Sequence, residues 1–398
     1  MNLKPPKYPL ASTAWDEKET EAMHEVIRSG HFTMGARVQS FEEKFANMIG
    51  SRFAVMVNSG SSANLVLVNA LKFHSKFRLN PGDEIIVPAV SWSTTFYPVT
   101  QSDFILRFVD VDLDTLNIDV DLIEKAITQK TKAIFAVNLL GNSADWDQLR
   151  HLAQKHDLIL LEDNCESLGG RFENKSLGSF GLGGTFSTFF SHHISTMEGG
   201  VVCTDDEELF QIMRSLRAHG WTRDLPDKNH VHAKTGNAWE DQFRFVLPGF
   251  NLRPLEIEAA LGLTQLDKLP SFIDARRSNA EIFKNEISKF AEVKTQQELG
   301  KSSWFGFSMI LTGSLVSKRV QLVQYLRDSG IESRPIVAGN FTKNPVIKHL
   351  PHSIFGSLDN SDLIHNEGFF VGNHHYDLSE EIRYLSQVLQ DFLGRFGK

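Results

Sequence analysis

Two adjacent histidines, His192 and His193, follow an apolar run and precede the glycine turn Glu198–Gly200. An imidazole has an unperturbed pKa of about 6.5, so a histidine is suited to proton transfer near neutral pH. Neighbouring residues on a strand point to opposite sides, and we therefore expect at most one of the two to enter a site. A hydrogen-bonded structural histidine is the alternative for either residue alone. No metal site is predicted, because no spacing requires further ligands.

Two other segments suggest an anion and an aromatic ring as ligands. Asn58–Asn64 (NSGSSAN) follows a predicted strand and opens a helix, where small residues and free N–H groups would let Gly60 and Ser61 bind a phosphate. An ordinary capped helix start is the alternative. Trp92 lies in a turn rich in hydroxyl side chains, where its indole could stack on an aromatic ring instead of filling the core.

A pair of carboxylates, Glu162 and Asp163, ends a very apolar strand. A carboxylate there is costly unless it has a charged partner such as a protonated ring nitrogen, and a cap or salt bridge is the alternative. Only one of the two can face a ligand, and the pattern does not say which. A phosphate site, an indole, a carboxylate and a proton-transfer residue together form a set that holds pyridoxal phosphate. A lysine usually completes the set by bonding to the cofactor, yet none lies near the histidines.

The bulk properties limit the other classes of function. The chain has 398 residues and a formal net charge of −8, which argues against a large nucleic-acid-binding face. Its two cysteines, Cys165 and Cys203, are too few for an iron–sulfur cluster and are expected to be buried thiols. No apolar run reaches membrane-spanning length and the N-terminus lacks an apolar signal core, so we expect a cytoplasmic protein with no membrane or nucleic-acid partner.

The elements that must position these residues alternate along the chain. Apolar strands separated by helices indicate a doubly wound α/β domain whose site lies beyond the carboxyl ends of the strands. After about Pro270 the pattern predicts a smaller α+β domain, and we expect domains over residues 1–265 and 266–398. Strands are predicted at 53–57, 84–88, 104–109, 133–137, 158–163, 185–190, 200–204 and 305–311, and helices at about 62–71, 120–128, 146–156, 271–290, 318–329 and 379–392.

These motifs resemble the DegT/DnrJ/EryC/StrS family, the sugar-modifying branch of the fold-type I pyridoxal-phosphate enzymes, over essentially the whole chain. The resemblance implies an aspartate aminotransferase-like large domain with a mainly parallel sheet. Most members carry a lysine six residues before Glu198, where this chain has His192. That departure is similar to a small subgroup of sugar dehydratases. The segments that carry the resemblance are Phe32–Gly35, Phe41–Phe45, Asn58–Ser61, Gly82–Pro88, Leu161–Glu166, Ser191–Gly200 and Arg217–Arg223.

Carried over position by position, the resemblance implies that His192 is the catalytic acid/base. Asp163 would hold the pyridine nitrogen and Trp92 would stack on the ring. Glu166 stands where relatives usually have a glutamine near the ring hydroxyl. The implied phosphate-binding residues are Gly60, Ser61 and Ser187.

Three further residues are implied in shared or substrate-side roles. Asn251 resembles the residue that reaches the phosphate from the partner subunit, which implies a homodimer with shared active sites. His219 and Arg223 are expected on the substrate side.

The implied reaction follows from the missing lysine. A noncovalently held cofactor suits pyridoxamine phosphate, with L-glutamate as the amino donor. The resemblance implies loss of the C3 hydroxyl from a nucleotide-linked 4-keto-6-deoxy sugar, with GDP-4-keto-6-deoxy-D-mannose as the expected substrate and ammonia released. Imidazole reaches less far than a lysine amine, which disfavours a completed amination. The alternatives are a nucleotide-sugar 4-aminotransferase using another base and a non-catalytic regulator of the same fold.

Overall fold

The secondary structure alternates between strands and helices, as the apolar pattern predicts. A computed structural model describes residues 5–397. The strands are β1 (Phe53–Val57), β2 (Glu84–Pro88), β3 (Ile105–Val109), β4 (Thr131–Val137), β5 (Ile159–Asp163), β6 (Arg171–Phe172), β7 (Lys175–Ser176), β8 (Gly183–Ser187), β9 (Gly200–Thr204), β10 (Val293–Lys294), β11 (Gly306–Leu311), β12 (Ser333–Arg334), β13 (His352–Ile354) and β14 (Gly368–Gly372). The helices are α1 (Glu17–Ser29), α2 (Ala36–Ile49), α3 (Gly60–Ala70), α4 (Ser93–Gln101), α5 (Val120–Ala126), α6 (Trp146–His156), α7 (Glu207–Arg217), α8 (Ala238–Gln242), α9 (Glu256–Ile287), α10 (Arg319–Asp328), α11 (Asp359–Glu367) and α12 (Ser379–Phe396).

An eight-stranded sheet forms the centre of the larger part of the chain, in the order β1-β9-β8-β5-β4-β2-β3-β13. The six strands β8, β5, β4, β2, β3 and β13 run parallel to one another. Only β9 is antiparallel to its neighbours, which are β8 and β1. The strands β2, β5, β8 and β9 are buried along their whole length, as expected for a sheet covered on both faces. The predicted mainly parallel α/β sheet is therefore confirmed.

The strand β8 is shorter than predicted, which changes the setting of the two histidines. The prediction extends it to Phe190, but β8 ends at Ser187. The N–H of Thr188 donates to the carbonyl of Gly199 (2.9 Å), and the N–H of Thr196 donates to the carbonyl of Thr188 (2.9 Å). These bonds close a loop in place of a longer strand. The histidine pair lies in this loop, so the strand alternation from which we expect the two side chains to diverge does not apply.

The helix α9 is longer than predicted. The sequence pattern places its start at Ser271, because Pro270 favours a helix boundary, but the helix begins at Glu256. The N–H of Glu256 donates to the carbonyl of Phe32 (3.0 Å), which fixes the first turn from outside the helix. Pro270 lies inside the helix, where its missing N–H removes one hydrogen bond without ending the helix.

The C-terminal part of the chain contains a second sheet, which is antiparallel and ordered β10-β11-β14-β12. Its core includes Phe283 of α9 and Phe307 of β11, whose rings stack with centroids 4.2 Å apart. This part also supplies β13, which pairs with β3 in the large sheet. Because α9 crosses position 265 and β13 returns to the large sheet, the division into residues 1–265 and 266–398 stays a proposal. Within residues 5–397, none of the helices has both the length and the hydropathy needed to cross a bilayer.

Candidate active site

A cavity of about 570 Å³ lies beyond the carboxyl ends of β4 and β5, where an open α/β sheet is expected to bind its ligand. Seven of the ten predicted site residues line it, and the other three do not. The seven are Gly60, Ser61, Trp92, Asp163, Glu166, Ser187 and His192.

One wall of the cavity is the N-terminus of α3, which begins at Gly60. Ser59 caps the helix by accepting a hydrogen bond from the N–H of Ser62 (3.1 Å). The first N–H groups of a helix have no intrahelical acceptor, so those of Gly60 and Ser61 are available to an anion. A Cβ added at Gly60 would lie 2.6 Å from the Cβ of Ser187, so the close approach of these segments requires glycine. The segment is both a capped helix start and a suitable phosphate site.

The carboxylate that faces the cavity is that of Asp163. Its Oδ2 accepts hydrogen bonds from the side chains of Asn64 (2.9 Å) and Thr95 (2.7 Å), and its Oδ1 accepts one from the N–H of Cys165 (3.1 Å). These donors hold the carboxylate in one orientation at the cavity wall. Asn64 and Thr95 are functional residues that the sequence reasoning did not identify. Asn64 lies four residues after Gly60, a spacing that places both on one face of α3 and that could have indicated it.

The neighbouring Glu162 points away from the cavity into the core. Its carboxylate accepts hydrogen bonds from the N–H groups of Gly178 (2.6 Å), Phe180 (2.5 Å) and Gly181 (2.7 Å). Burial raises the pKa of Glu162 to about 7, although these three donors act in the opposite direction. Glu162 therefore fixes the chain around Gly178–Gly181. Of the two carboxylates, only that of Asp163 lines the cavity.

The imidazole of His192 lies at the cavity wall beside the ring of Phe305, with centroids 5.2 Å apart. Its Nδ1 is covered and has no hydrogen-bond partner among the described residues. Burial, together with the smaller effect of the positive charge of Arg276, lowers the pKa of His192 to about 4. The imidazole is therefore neutral near pH 7 and can accept a proton from a ligand in the cavity.

The second histidine, His193, is turned into the core and is 2% exposed. Its Nε2 lies 3.2 Å from the carbonyl oxygen of Ser303, which can only accept, so this nitrogen carries the hydrogen. Burial lowers the pKa of His193 well below its ordinary value. Of the two histidines only His192 lines the cavity, and the loop, not strand alternation, separates the pair.

Trp92 and Glu166 complete the lining of the cavity next to Asp163. Trp92 precedes the first turn of α4 and is 58% exposed, so the alternative of a core tryptophan is wrong. Glu166 accepts a hydrogen bond from the N–H of Leu140 (3.0 Å). Burial, together with the negative charge of Asp163, raises the pKa of Glu166 to about 7, although the hydrogen bond from Leu140 acts in the opposite direction. Glu166 can therefore be protonated near neutral pH and act as a hydrogen-bond donor.

The two cysteines differ in their surroundings. Both are free thiols, as expected, and Cys203 is buried. Cys165 is only half-buried and lines the cavity, so the expectation of a fully buried thiol is wrong for that residue. Its position follows from its hydrogen bond to Asp163, which brings the chain after β5 back over the cavity wall.

Asn251, His219 and Arg223 lie outside the cavity of their own chain. The Oδ1 of Asn251 accepts a hydrogen bond from Nε of Arg253 (3.0 Å). The guanidinium of Arg223 lies 3.5 Å from the ring centroid of Trp221. The ring centroids of His219 and Trp221 are 5.1 Å apart. The described chain thus gathers these three residues on a separate surface and does not bring them to His192.

The donor set fits pyridoxal or pyridoxamine phosphate in four respects. It offers N–H groups at a crowded glycine, a fixed carboxylate, an exposed indole and an imidazole whose Nδ1 has no partner. No lysine lines the cavity among the residues that the structure describes. The covalent attachment that usually holds this cofactor is thus missing from the cavity wall.

Residues 13–390 match the DegT/DnrJ/EryC1/StrS aminotransferase family. The chain belongs to this family. The resemblance predicted from the motifs is confirmed, and it covers nearly the full length.

Within this family, the chain is similar to several proteins named as sugar dehydratases. The chain is 53% identical over 385 residues to the GDP-4-keto-6-deoxy-D-mannose 3-dehydratase of Yersinia pseudotuberculosis, covering 96% of this chain and 98% of that protein. It is similar, with a TM-score of 0.95 and 52% identity, to a solved structure of E. coli GDP-4-keto-6-deoxy-D-mannose-3-dehydratase with bound hydrated PLP, covering 97% of this chain and all (100%) of that one. A structure of GDP-4-keto-6-deoxymannose-3-dehydratase with a trapped PLP-glutamate geminal diamine has a TM-score of 0.94 and 51% identity, covering 96% and 100% of the two chains.

Proposed function

We propose that this protein is a pyridoxal/pyridoxamine-phosphate-dependent 3-dehydratase that removes the C3 hydroxyl of GDP-4-keto-6-deoxy-D-mannose. L-glutamate is the amino donor and ammonia is released. The observation that carries the proposal is the neutral imidazole of His192 in a cavity lined by no lysine among the described residues. Two relatives that are more than 50% identical in sequence bear the name of this dehydratase. Solved structures of proteins with this name contain PLP and its glutamate adduct.

The chain holds the cofactor by its own polar groups and not by a covalent bond. When bound, the cofactor supplies an aromatic ring that accepts electrons. Asp163, oriented by Thr95, is placed to keep the ring nitrogen protonated. The N–H groups at the start of α3 and the hydroxyl of Ser187 bind the phosphate, and Trp92 covers the ring. Glu166 donates its proton to the ring hydroxyl, a role for which its raised pKa suits it.

His192 accepts the proton that must leave the cofactor's reacting carbon and returns it to the departing hydroxyl. A neutral imidazole can do this near pH 7, because its pKa lies near 4 in this cavity. The imidazole of His192 cannot form the covalent bond to the cofactor that a primary amine would form. Water therefore releases the sugar at the end of the cycle without competition from such an amine. The outcome is deoxygenation and not amination.

The remaining predicted residues are assigned to the partner of a homodimer. His219 and Arg223 pack on Trp221, and the ring of Phe245, which is 60% exposed, lies 6.4 Å from that of Trp221 on centroids. Exposed aromatic clusters mark protein–protein contacts. We assign this surface to the active site of a second copy, with Asn251 on the phosphate and the other two on the sugar nucleotide. The cytoplasmic location stays a prediction from the sequence.

The test is incubation of the purified protein with pyridoxal phosphate, L-glutamate and GDP-4-keto-6-deoxy-D-mannose. Mass spectrometry should find a GDP-sugar that lacks one oxygen, and an ammonia assay should find one equivalent released per product. The matched dTDP-linked 4-keto-6-deoxy sugar serves as the control for nucleotide recognition. A 4-amino sugar that retains all its ring hydroxyls would instead establish an aminotransferase.

A further inference from the structure

A second cleft, of about 500 Å³, lies between α2, the edge strand β1 and the last turn of α7. This α2–α7 cleft shares none of its lining residues with the cavity of His192, so it is separate from the proposed active site. Val38 and Ala46 of α2 and Ala54 of β1 give it an apolar wall. Its volume is in the range of sites that bind small organic molecules and far exceeds that of an inorganic ion.

Two arginines of α7, Arg214 and Arg217, line the cleft. They are three residues apart in the last turn of the helix, a spacing that places both on one face. Arg217 is 2% exposed, and its Nη1 donates to the carboxylate of Glu42 and to the carbonyl oxygen of Met56 (2.6 Å). Its Nε is buried with no acceptor among the described residues. Arg217 is therefore held rigidly by one nitrogen and keeps Nη2 for a ligand.

Arg214 has still fewer partners than Arg217. Within residues 5–397 its side chain makes no hydrogen bond and no ion pair, and its Nε is buried. Its guanidinium lies 5.4 Å from the ring centroid of Phe210. Burial lowers the pKa of Arg214, whereas the charge of Glu42 acts in the opposite direction, and a guanidinium stays a cation near neutral pH. A partly buried cation without a counter-ion would be stabilised by a bound anion.

The other carboxylates of the cleft do not supply that counter-ion. Asp224 accepts a hydrogen bond from Nε1 of Trp221 (3.0 Å), and the exposed Glu43 accepts one from Nε2 of Gln39 (2.9 Å). Neither lies within 4.0 Å of the guanidinium nitrogens of Arg214, a distance at which the described residues would form an ion pair. The N–H groups of Arg214 are therefore available to a molecule that enters the cleft.

We propose that the α2–α7 cleft binds a phosphate monoester, with the phosphate held by Arg214 and Arg217 and the organic part against the apolar wall. The free N–H groups of two guanidiniums outnumber the two oxygens of a carboxylate, whereas a phosphate monoester presents three terminal oxygens. Such a phosphate also carries a charge of about −1.5 to −2 near pH 7, against −1 for a carboxylate. The site does not depend on the proposed function, because it uses no residue of the cavity of His192.

The experiment measures binding of phenyl phosphate, a monoester with a compact apolar part, by isothermal titration calorimetry. The protein is loaded with pyridoxal phosphate, so that the cofactor occupies the phosphate site at Gly60. Arg214→Gln should weaken binding of phenyl phosphate by about ten- to a hundredfold, the effect of losing a hydrogen bond to a charged group. Arg214→Lys should lie in between, because it keeps the charge and loses the planar fork.

Two further variants separate the cleft's general charge from the specific contact. Arg52 lines the same cleft but pairs with Glu207 (3.6 Å) and donates to the carbonyl oxygen of Asp205 (3.1 Å), so Arg52→Gln should weaken binding by no more than about fivefold. Gln39→Glu adds a negative charge at the exposed rim and leaves all the arginines in place. It should weaken binding by about two- to fivefold, and it tests the site even where Arg214→Gln does not fold.

Two ligand controls distinguish the source and the class of the anion. Saturating GDP-mannose, whose phosphates are both diesters, should leave binding of phenyl phosphate unchanged, because it occupies the proposed sugar-nucleotide site. Benzoate, which has the same ring and a carboxylate, should bind more weakly than phenyl phosphate.

Four results would overturn the inference. They are no binding of phenyl phosphate to the wild type at millimolar concentration, wild-type affinity in a folded Arg214→Gln or in Gln39→Glu, complete displacement by GDP-mannose, and benzoate binding as tight as that of phenyl phosphate. Thermal unfolding shows whether each variant is folded.

Discussion

Two pairs of adjacent, chemically alike residues are divided between the cavity and the core. Asp163 and His192 face the cavity, whereas their neighbours Glu162 and His193 face the interior. The carboxylates are divided by the alternation of β5, and the histidines by a closed loop. Residue type alone therefore does not decide which member takes part in chemistry.

The difference lies in how the polar atoms are satisfied. In the core, Glu162 accepts three backbone N–H bonds and His193 is bonded to the carbonyl of Ser303. At the cavity, Nδ1 of His192 has no partner within the described residues, and Asp163 is oriented by side chains that leave it facing the ligand. Core members stabilise the chain that positions the cavity members. The comparison can be tested one residue at a time.

The largest effect is expected from His192→Asn, because it removes the proton acceptor from the cavity. Turnover should fall by about a hundred- to ten-thousandfold, the usual cost of losing a general acid/base. Steady-state kinetics of GDP-sugar deoxygenation measures the change. His193→Asn is the matched control and should keep most of its turnover at a temperature where it is folded. Near-normal turnover in the first variant would remove His192 from its assigned role.

A somewhat smaller loss is expected from Asp163→Asn. The amide oxygen can still accept from Thr95, so the fold should persist, but the charge facing the ring nitrogen is gone. Turnover should fall by about a hundred- to a thousandfold, the typical effect of removing one electrostatic partner of a reacting group. Absorbance titration with pyridoxal phosphate checks cofactor binding in parallel. A greater loss of turnover in Glu162→Gln than in Asp163→Asn would reverse the assignment of the two faces.

The stability effects should show the opposite ranking for the histidines. His193→Asn loses the hydrogen bond to Ser303 and leaves a buried acceptor unpaired, which should lower the free energy of unfolding by about 1–3 kcal/mol. His192→Asn breaks no hydrogen bond of the ring within the described residues, so its free energy of unfolding should change less. Urea denaturation of both variants without cofactor provides the comparison. Equal destabilisation by the two would show that the loop does not separate them as described.

The last effect is a pH dependence of stability that originates in Glu162. Its pKa is raised from 4.5 to about 7 in the folded chain, so the folded protein binds this proton more tightly than the unfolded one. The resulting stabilisation is fully present below pH 4.5 and is lost as the pH rises to about 7. Glu162→Gln cannot titrate, so the stability advantage of the wild type over this variant should shrink between pH 5 and pH 8. Denaturant unfolding at both values tests it, and a growing advantage would contradict the raised pKa.

The sheet and half of the site could be predicted from residue patterns. Buried parallel strands read as apolar runs, and Gly60, Trp92, Asp163 and His192 follow or end such runs at the edge where ligands bind. The start of α9 was missed because a proline signals a helix boundary locally, whereas contact with Phe32 fixes the helix start. Contacts between distant segments leave no local signature.

The same limit applied to the supporting side chains of the site. Thr95 and Asn64 belong to helices that only the fold brings to Asp163, although their sequence separation from it is 68 and 99 residues. Arg276 of α9 and Arg334 of β12 line one small cavity, although no local pattern relates them. Asn251, His219 and Arg223 were predicted through resemblance alone, and the cavity of their own chain gives no geometric support for them.

The pairing of β13 with β3 has a consequence for biosynthesis. Leu106 is opposite His352, so one edge of the large sheet stays open until nearly the whole polypeptide has left the ribosome. An uncovered parallel edge is a template for pairing with other nascent chains. Ribosome-stalled fragments that end before His352 should therefore aggregate or recruit chaperones, whereas those that extend well past Ile354 should not.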